Sequence, residues 1–315
     1  MTSSSIANPN PNANHGANAN PGSSPRSWRT CLAQVTLRAE GWESECEAIA
    51  KGGWDAVELD ADRMARQVEA GRPAAPLARF AADRGLTLAA LSGLKGPGPA
   101  EVLGHDEEAA QRARDRFRQR LDLAVELGVP RVILTADPTP LPASAPGVVP
   151  EADASLFGRW MEALRFQVEQ ARQRHLALSL EFHRGSRFCA SLDTAAAVVA
   201  ALGGAESGLS VAFDAFHYHC GPSKFDDLSL LHPRNLGWVQ VCDLLGVPRE
   251  LAGDGDRILP GEGDFRLGPL LETLAALGYD GMISLEVPAR GFATIPADRV
   301  AMIAWHALQR TLELT

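Results

Sequence analysis

The sequence predicts a single-domain (β/α)8 barrel, an α/β fold, behind a disordered tail. Three observations carry this. Eight short β-like runs alternate with amphipathic helical stretches over about 285 residues, near the roughly 250 typical of that fold. In the later runs bulky apolar residues fall on one parity and small or polar residues on the other, as strands of a closed barrel require. No Gly-x-Gly-x-x-Gly follows the first run, which weakens the dinucleotide-binding form of the competing doubly wound sheet.

Residues 1–27 are rich in Asn, Pro, Ala, Ser and Gly (NPNPNANHGANANPGSSP). Nothing there can build a core, so disorder is expected, and His15 is incidental. The barrel is expected over 28–315. Its strands are read at CLAQVTL (31–37), DAVEL (55–59), LTLAALSG (86–93) and RVILTA (131–136), then at LALSLEF (176–182), LSVAFDA (209–215), GWVQVCD (237–243) and GMISLEV (281–287). Helical spacing places Leu121, Leu123, Ala124 and Leu127 on one buried stripe and Leu270, Leu271, Leu274 and Leu277 on another. Gly128, Gly203 and Gly278 stand where helices should end. Pro296 suits a first helical turn, ahead of a stripe of Val300, Ile303, Ala304, Ala307 and Leu308.

Composition excludes several classes. The chain has 315 residues, 22% of them charged, and a formal net charge of −9. Such a surface repels phosphate backbones, so no nucleic-acid partner is expected. The basic run Arg112 to Arg120 reads as a solvated helix face. Five widely spaced cysteines without a Cys-x-x-Cys pair suit reduced thiols in a cytoplasmic protein. No apolar run approaches the roughly 18 residues of a membrane span, and the N-terminus does not read as a secretory signal.

The informative feature is a set of polar strand ends. Parity turns Ser179, Glu181 and His183 inward in the fifth strand and Ser210, Ala212 and Asp214 inward in the sixth. It does the same for Gln240 in the seventh and for Ser284 and Glu286 in the eighth. Carboxylates are seldom buried unless paired or holding a metal. Glu181, Asp214, Gln240 and Glu286 would therefore present four oxygen donors at the C-terminal end of the barrel, where barrel enzymes place their active sites. A donor set without thiolate or imidazole favours one hard divalent ion, Mn²⁺ or Mg²⁺, with Co²⁺ or Zn²⁺ as alternatives.

These residues resemble the xylose-isomerase-like TIM-barrel superfamily of sugar isomerases and epimerases. The likeness runs from about Cys31 to the end. It rests on Glu181-x-His183, Asp214-x-x-His217, Val-Gln240-Val-x-Asp243, the loop LPGEGDF (259–265) and Ser-Leu-Glu286. The resemblance implies that Glu181, Asp214, Gln240 and Glu286 hold the metal. His is the commoner third ligand, and Gln240 is similar to that of hydroxypyruvate isomerases and some dehydroshikimate dehydratases. It also implies a substrate-contacting arginine at Arg257.

Such a centre suits proton abstraction beside a metal-polarised carbonyl, with Glu181 and Glu286 as the catalytic pair. His183, His217, Arg257 and Lys95 are the expected substrate contacts. Glu58 is expected as a wall or ion-pair residue, Glu262 as a brace of its loop, Trp238 as core, and His219 in a supporting role. The expected activity is isomerisation or epimerisation of a small polyhydroxylated sugar or keto-acid, with a homo-oligomer compatible with it. The second reading is a lyase of the same fold, eliminating water from dehydroshikimate, an inosose or a 3-keto sugar. No convincing anion cradle follows the seventh or eighth strand, which argues against a phosphorylated substrate. An apurinic endonuclease would need histidines that LSGLKG and VILTADP lack. A degenerate binding barrel would not need the intact donor set.

Overall fold

A computed structural model describes residues 28–38, 41–140 and 153–313. The tail at 1–27, expected to be disordered, lies outside them. Eight strands close a barrel in sequence order. They are β1 (Arg29–Ala33), β2 (Ala56–Asp60), β3 (Thr87–Lys95), β4 (Arg131–Thr135), β5 (Ala177–Glu181), β6 (Leu209–Asp214), β7 (Leu236–Val241) and β8 (Met282–Leu285). All neighbours are parallel, and β1 closes on β8 with Arg29 beside Met282 and Leu32 beside Leu285.

The parity argument holds. Leu178, Leu180, Phe182, Val211, Phe213, Val239, Ile283 and Leu285 pack outward against the helices in one continuous apolar core. A smaller cluster of Cys31, Ala56, Ala89, Ala90, Ile133, Ala212 and Trp238 fills the interior. Below the mouth, Arg131 Nη1 donates to Ser179 Oγ at 2.7 Å and Ser210 Oγ at 3.1 Å. Gly237 makes room for it, because a Cβ there would collide with Arg131 Nη1 and Ser210 Oγ.

Three details differ from expectation. The first strand stops at Ala33, and Gln34–Thr36 form a 3-10 turn. Side chains replace the ladder there: Gln34 accepts from Asp60 N at 2.7 Å, and Thr36 Oγ1 accepts from Val287 N at 3.1 Å. β3 runs on to Lys95, with a register shift against β4 between Leu91 and Leu94. In the last helix, Ala297–Glu313, Ile303 is exposed, and Ala301 completes the buried stripe with Val300, Ala304, Ala307 and Leu308.

Gly128, Gly203 and Gly278 all have positive φ just past a helix, where a side chain would be strained. The basic helix Glu107–Leu127 pairs its arginines with acids: Arg112 with Glu108, Arg114 with Glu107, Arg118 with Asp115 and Arg120 with Asp62. That is the behaviour of a solvated face. The five cysteines are free and buried. Among the described residues no helix is long and apolar enough to cross a membrane.

Candidate metal and proton-transfer site

The four expected donors meet at the C-terminal mouth of the barrel. In three of them the protein holds one terminal atom through a hydrogen bond, and in Asp214 it holds the second as well, through Arg257. Asp214 ends β6 and caps the helix Ala215–Cys220. Its Oδ1 accepts from Phe216 N at 2.6 Å and His217 N at 3.1 Å, while Oδ2 accepts from Arg257. Glu181 ends β5, and its Oε2 accepts from Thr135 Oγ1 at 2.6 Å. Gln240 in β7 donates through Nε2 to Glu58 Oε1 at 2.9 Å, and its Oε1 is buried with no partner. Glu286 follows β8, with its backbone N donating to Val241 O at 3.0 Å.

Arg257 enters this group from the loop after β7. Its Nη1 donates to Asp214 Oδ2 at 2.6 Å and to Glu286 Oε2 at 3.0 Å, and its Nη2 to Asp254 Oδ1 at 3.1 Å. The guanidinium carbon lies 4.5 Å from the centre of the Phe216 ring, a cation–π distance. Asp243 builds the loop that carries it. Its backbone bridges Ile258, its Oδ1 accepts from Leu244 N and Phe265 N at 2.9 Å, and its Oδ2 accepts from Gly261 N at 3.0 Å. The Val-Gln-Val-x-Asp motif thus joins a donor to the anchor of the arginine loop.

Electrostatics separate the carboxylates. Burial, then the neighbouring Asp214, pushes Glu181 up to about 8. Burial also holds Glu286 well above the usual carboxylate range, against the pull of Arg257. Asp214 is equally buried, yet Arg257 and His217 outweigh that and bring it to about 2. Burial lowers His217 to about 3, so its imidazole is neutral.

The expected substrate contacts fall at different places. His217 is buried, with Nε2 3.7 Å from Glu181 Oε1. One atom each of Glu181, Asp214 and His217 lies within 4.8 Å of the others, so His217 could itself be a metal ligand. His183 lies against it, the ring centres 4.1 Å apart and the planes tilted by 52°, with Nδ1 accepting from Gly185 N at 3.0 Å. Lys95 is exposed at the end of β3. It lines a different cavity of about 580 Å³, between the β3 loop and the helix Glu107–Leu127. His219 stacks on Phe265 at 4.2 Å. Glu262 lies 3.8 Å from Arg310 on the last helix.

Thr135, Asp254 and Phe216 were missed by the sequence reading. Thr135 could have been found, because strand register sets it beside Glu181. Asp254 and Phe216 carry no such signal.

The donor set fits a divalent ion. Three carboxylates supply charge, Gln240 offers an unpartnered oxygen, and Glu181, Asp214 and Gln240 are each held at one atom. To bind Asp214 and Glu286 together, the ion would have to take the place of Arg257 Nη1.

The fold and this mouth define a class, the parallel eight-stranded barrel with a buried acidic centre at its C-terminal end. Residues 46–308 match the family model described as xylose isomerase-like TIM barrel, and the chain belongs to that family. An inosose isomerase of Bacillus licheniformis is 29% identical over 79 residues, which is 25% of this chain and 28% of that relative's length. The crystal structure of the IolI protein with a bound zinc atom superposes with a TM-score of 0.76 at 18% identity, covering 90% of this chain and 98% of that one. D-psicose 3-epimerase with D-tagatose, from Clostridium cellulolyticum H10, gives 0.67 at 16% identity, covering 90% and 99%. At these identities the structural likeness is one of fold.

Proposed function

We propose that this chain is a divalent-metal-dependent isomerase or epimerase of a small polyhydroxylated ketone, an inosose or a ketose. One observation carries the reading: Glu181, Asp214 and Gln240, on three adjacent strands, are each fixed through one terminal atom, and the second atom is unpartnered on Gln240 and paired with the Arg257 cation on Asp214. Membership of a family with sugar isomerase and epimerase neighbours supports it.

A hard cation held by Glu181, Asp214, Gln240 and Glu286 would polarise the substrate carbonyl and adjacent hydroxyl, making the C–H next to the carbonyl acidic. Glu181 and Glu286 form the proton-transfer pair, one removing the proton and the other returning it. A metal-bound carboxylate is a weak base, and burial of Glu181 works against that by favouring its protonated form. His217, neutral, donates a hydrogen bond to a substrate oxygen without adding charge. The Nδ1 of His183 accepts from the backbone, which leaves its Nε2–H as a second donor. Arg257 turns from Asp214 to a substrate oxygen, where its planar fork suits a carboxylate or paired hydroxyls. Water loss from the same carbanion would make the chain a lyase.

The test is incubation of the Mn²⁺- or Mg²⁺-loaded protein with inososes and ketoses in D₂O, followed by NMR. Deuterium at the carbon next to the carbonyl, with no loss of water, is expected. An alkene signal would replace this reading by elimination, and no exchange with any of these ketones would sink both.

A further inference from the structure

We infer that Glu58 is a positioning residue that orients Gln240 and decides which side chains can serve there. The inference rests on the metal-centre reading above. Glu58 lies in β2, fully buried, and reaches across the barrel interior to β7. Its Oε2 accepts from Trp238 Nε1 and its Oε1 from Gln240 Nε2, each at 2.9 Å. An indole N–H can only donate, so Glu58 Oε2 is an acceptor, and an ionised Glu58 offers only acceptors to Gln240 as well. The amide of Gln240 then has one sensible orientation. With Nε2 on Glu58, Oε1 is the atom left over, buried and unpartnered. The flipped amide would set two acceptor oxygens against each other in a buried interior and leave its N–H groups there without an acceptor.

This gives position 240 a two-sided requirement, an acceptor toward the centre and a donor toward Glu58. Gln meets it. His meets it too, because one ring nitrogen can bind the ion while the other N–H donates to the carboxylate. A carboxylate does not, although it would add charge for a cation.

The test is Mn²⁺ affinity, by competition with a chelator, for the full chain and for Glu58→Gln, Gln240→Glu, the double variant and Gln240→His. Thermal melts run alongside. Loss of an outer hydrogen-bond partner typically costs about 10–100-fold in metal affinity, and that is expected for Glu58→Gln and for Gln240→Glu. The double variant should regain affinity, because the amide now at position 58 can donate to the carboxylate at position 240. Gln240→His should keep it. Tighter binding by Gln240→Glu than by wild type overturns the inference, as does unchanged affinity in Glu58→Gln. If Glu58→Gln alone fails to fold, a folded double variant no better than Gln240→Glu also overturns it. If wild type binds no divalent ion, the metal reading falls but the orientation can still be read. Hydrogen exchange at the Gln240 side-chain amide should be slow in wild type and fast in Glu58→Gln; equal rates would refute it.

Discussion

Arg257 Nη1 lies 2.6 Å from Asp214 Oδ2 inside the barrel mouth, with the arginine side chain 4% exposed and the aspartate 0%. The guanidinium therefore holds the position from which a divalent ion would reach Asp214 and Glu286 together. Arg257→Gln should raise Mn²⁺ affinity at least ~10-fold, since it removes a competing cation from a poorly screened site. Turnover should fall, because the substrate-facing fork is lost. Isothermal titration beside a turnover assay checks both, and weaker binding would show that the arginine does not compete with the ion.

Glu286→Gln removes a charge and a proton acceptor while preserving shape. A drop in kcat of about 10²–10⁴ is expected, the usual worth of a positioned acid–base group. Glu181→Gln should behave alike. Wild-type turnover in either variant would remove that residue from the proton-transfer pair.

Gly263 packs against the anchor of the Arg257 loop. A Cβ there would collide with Asp243 Oδ1 and the Leu244 carbonyl oxygen. Gly263→Ala should cost about 1–3 kcal/mol, the usual range for overpacking, and should raise KM through displacement of Arg257. Chemical denaturation and steady-state kinetics measure the two effects, and a variant matching wild type in both would mean the loop yields at no cost.

Glu45 supplies a pH test away from the mouth. Burial pushes its carboxyl from 4.5 up to about 7, despite hydrogen bonds from Gln34 and Arg63. Between those values the folded chain keeps a proton that the unfolded chain has released. The stability that Glu45 contributes is complete below pH 4.5 and is lost as pH rises through 7, about 3 kcal/mol in all. Urea denaturation at pH 5 and pH 8 should show wild type losing roughly 2 kcal/mol more than Glu45→Gln. Parallel losses would refute the shift.

Much of the barrel could be read from strand parity, because a period of two leaves little freedom once one face is apolar. Parity turned Glu181, Asp214, Gln240 and Glu286 inward, and their place at the strand ends set them at one end of the barrel. It carried no information on what crosses the barrel. Glu58 and Gln240 are 182 positions apart, and only closure brings them into contact. The position of Arg257 depends on a long loop whose course is set by Asp243, through bonds to three backbone amides that have no sequence period. Lys95 illustrates the opposite limit. It sits at the expected end of its strand, yet it is exposed and lines the cavity beside the helix Glu107–Leu127.

The clasp at Asp243 pins both ends of the segment after β7 and leaves individual positions between them to solvent. The backbone is fastened at Asp243 and Ile258, and again at Gly261 and Phe265. Between the first two fastenings, Leu245 and Leu251 lie exposed at 59% and 78%. Leu245 and Leu251 are therefore open to substitution while Asp254 and Arg257 stay in place, whereas Ala252, next to Leu251 and 1% exposed, belongs to the core. Surface change at those two positions leaves the acidic centre untouched.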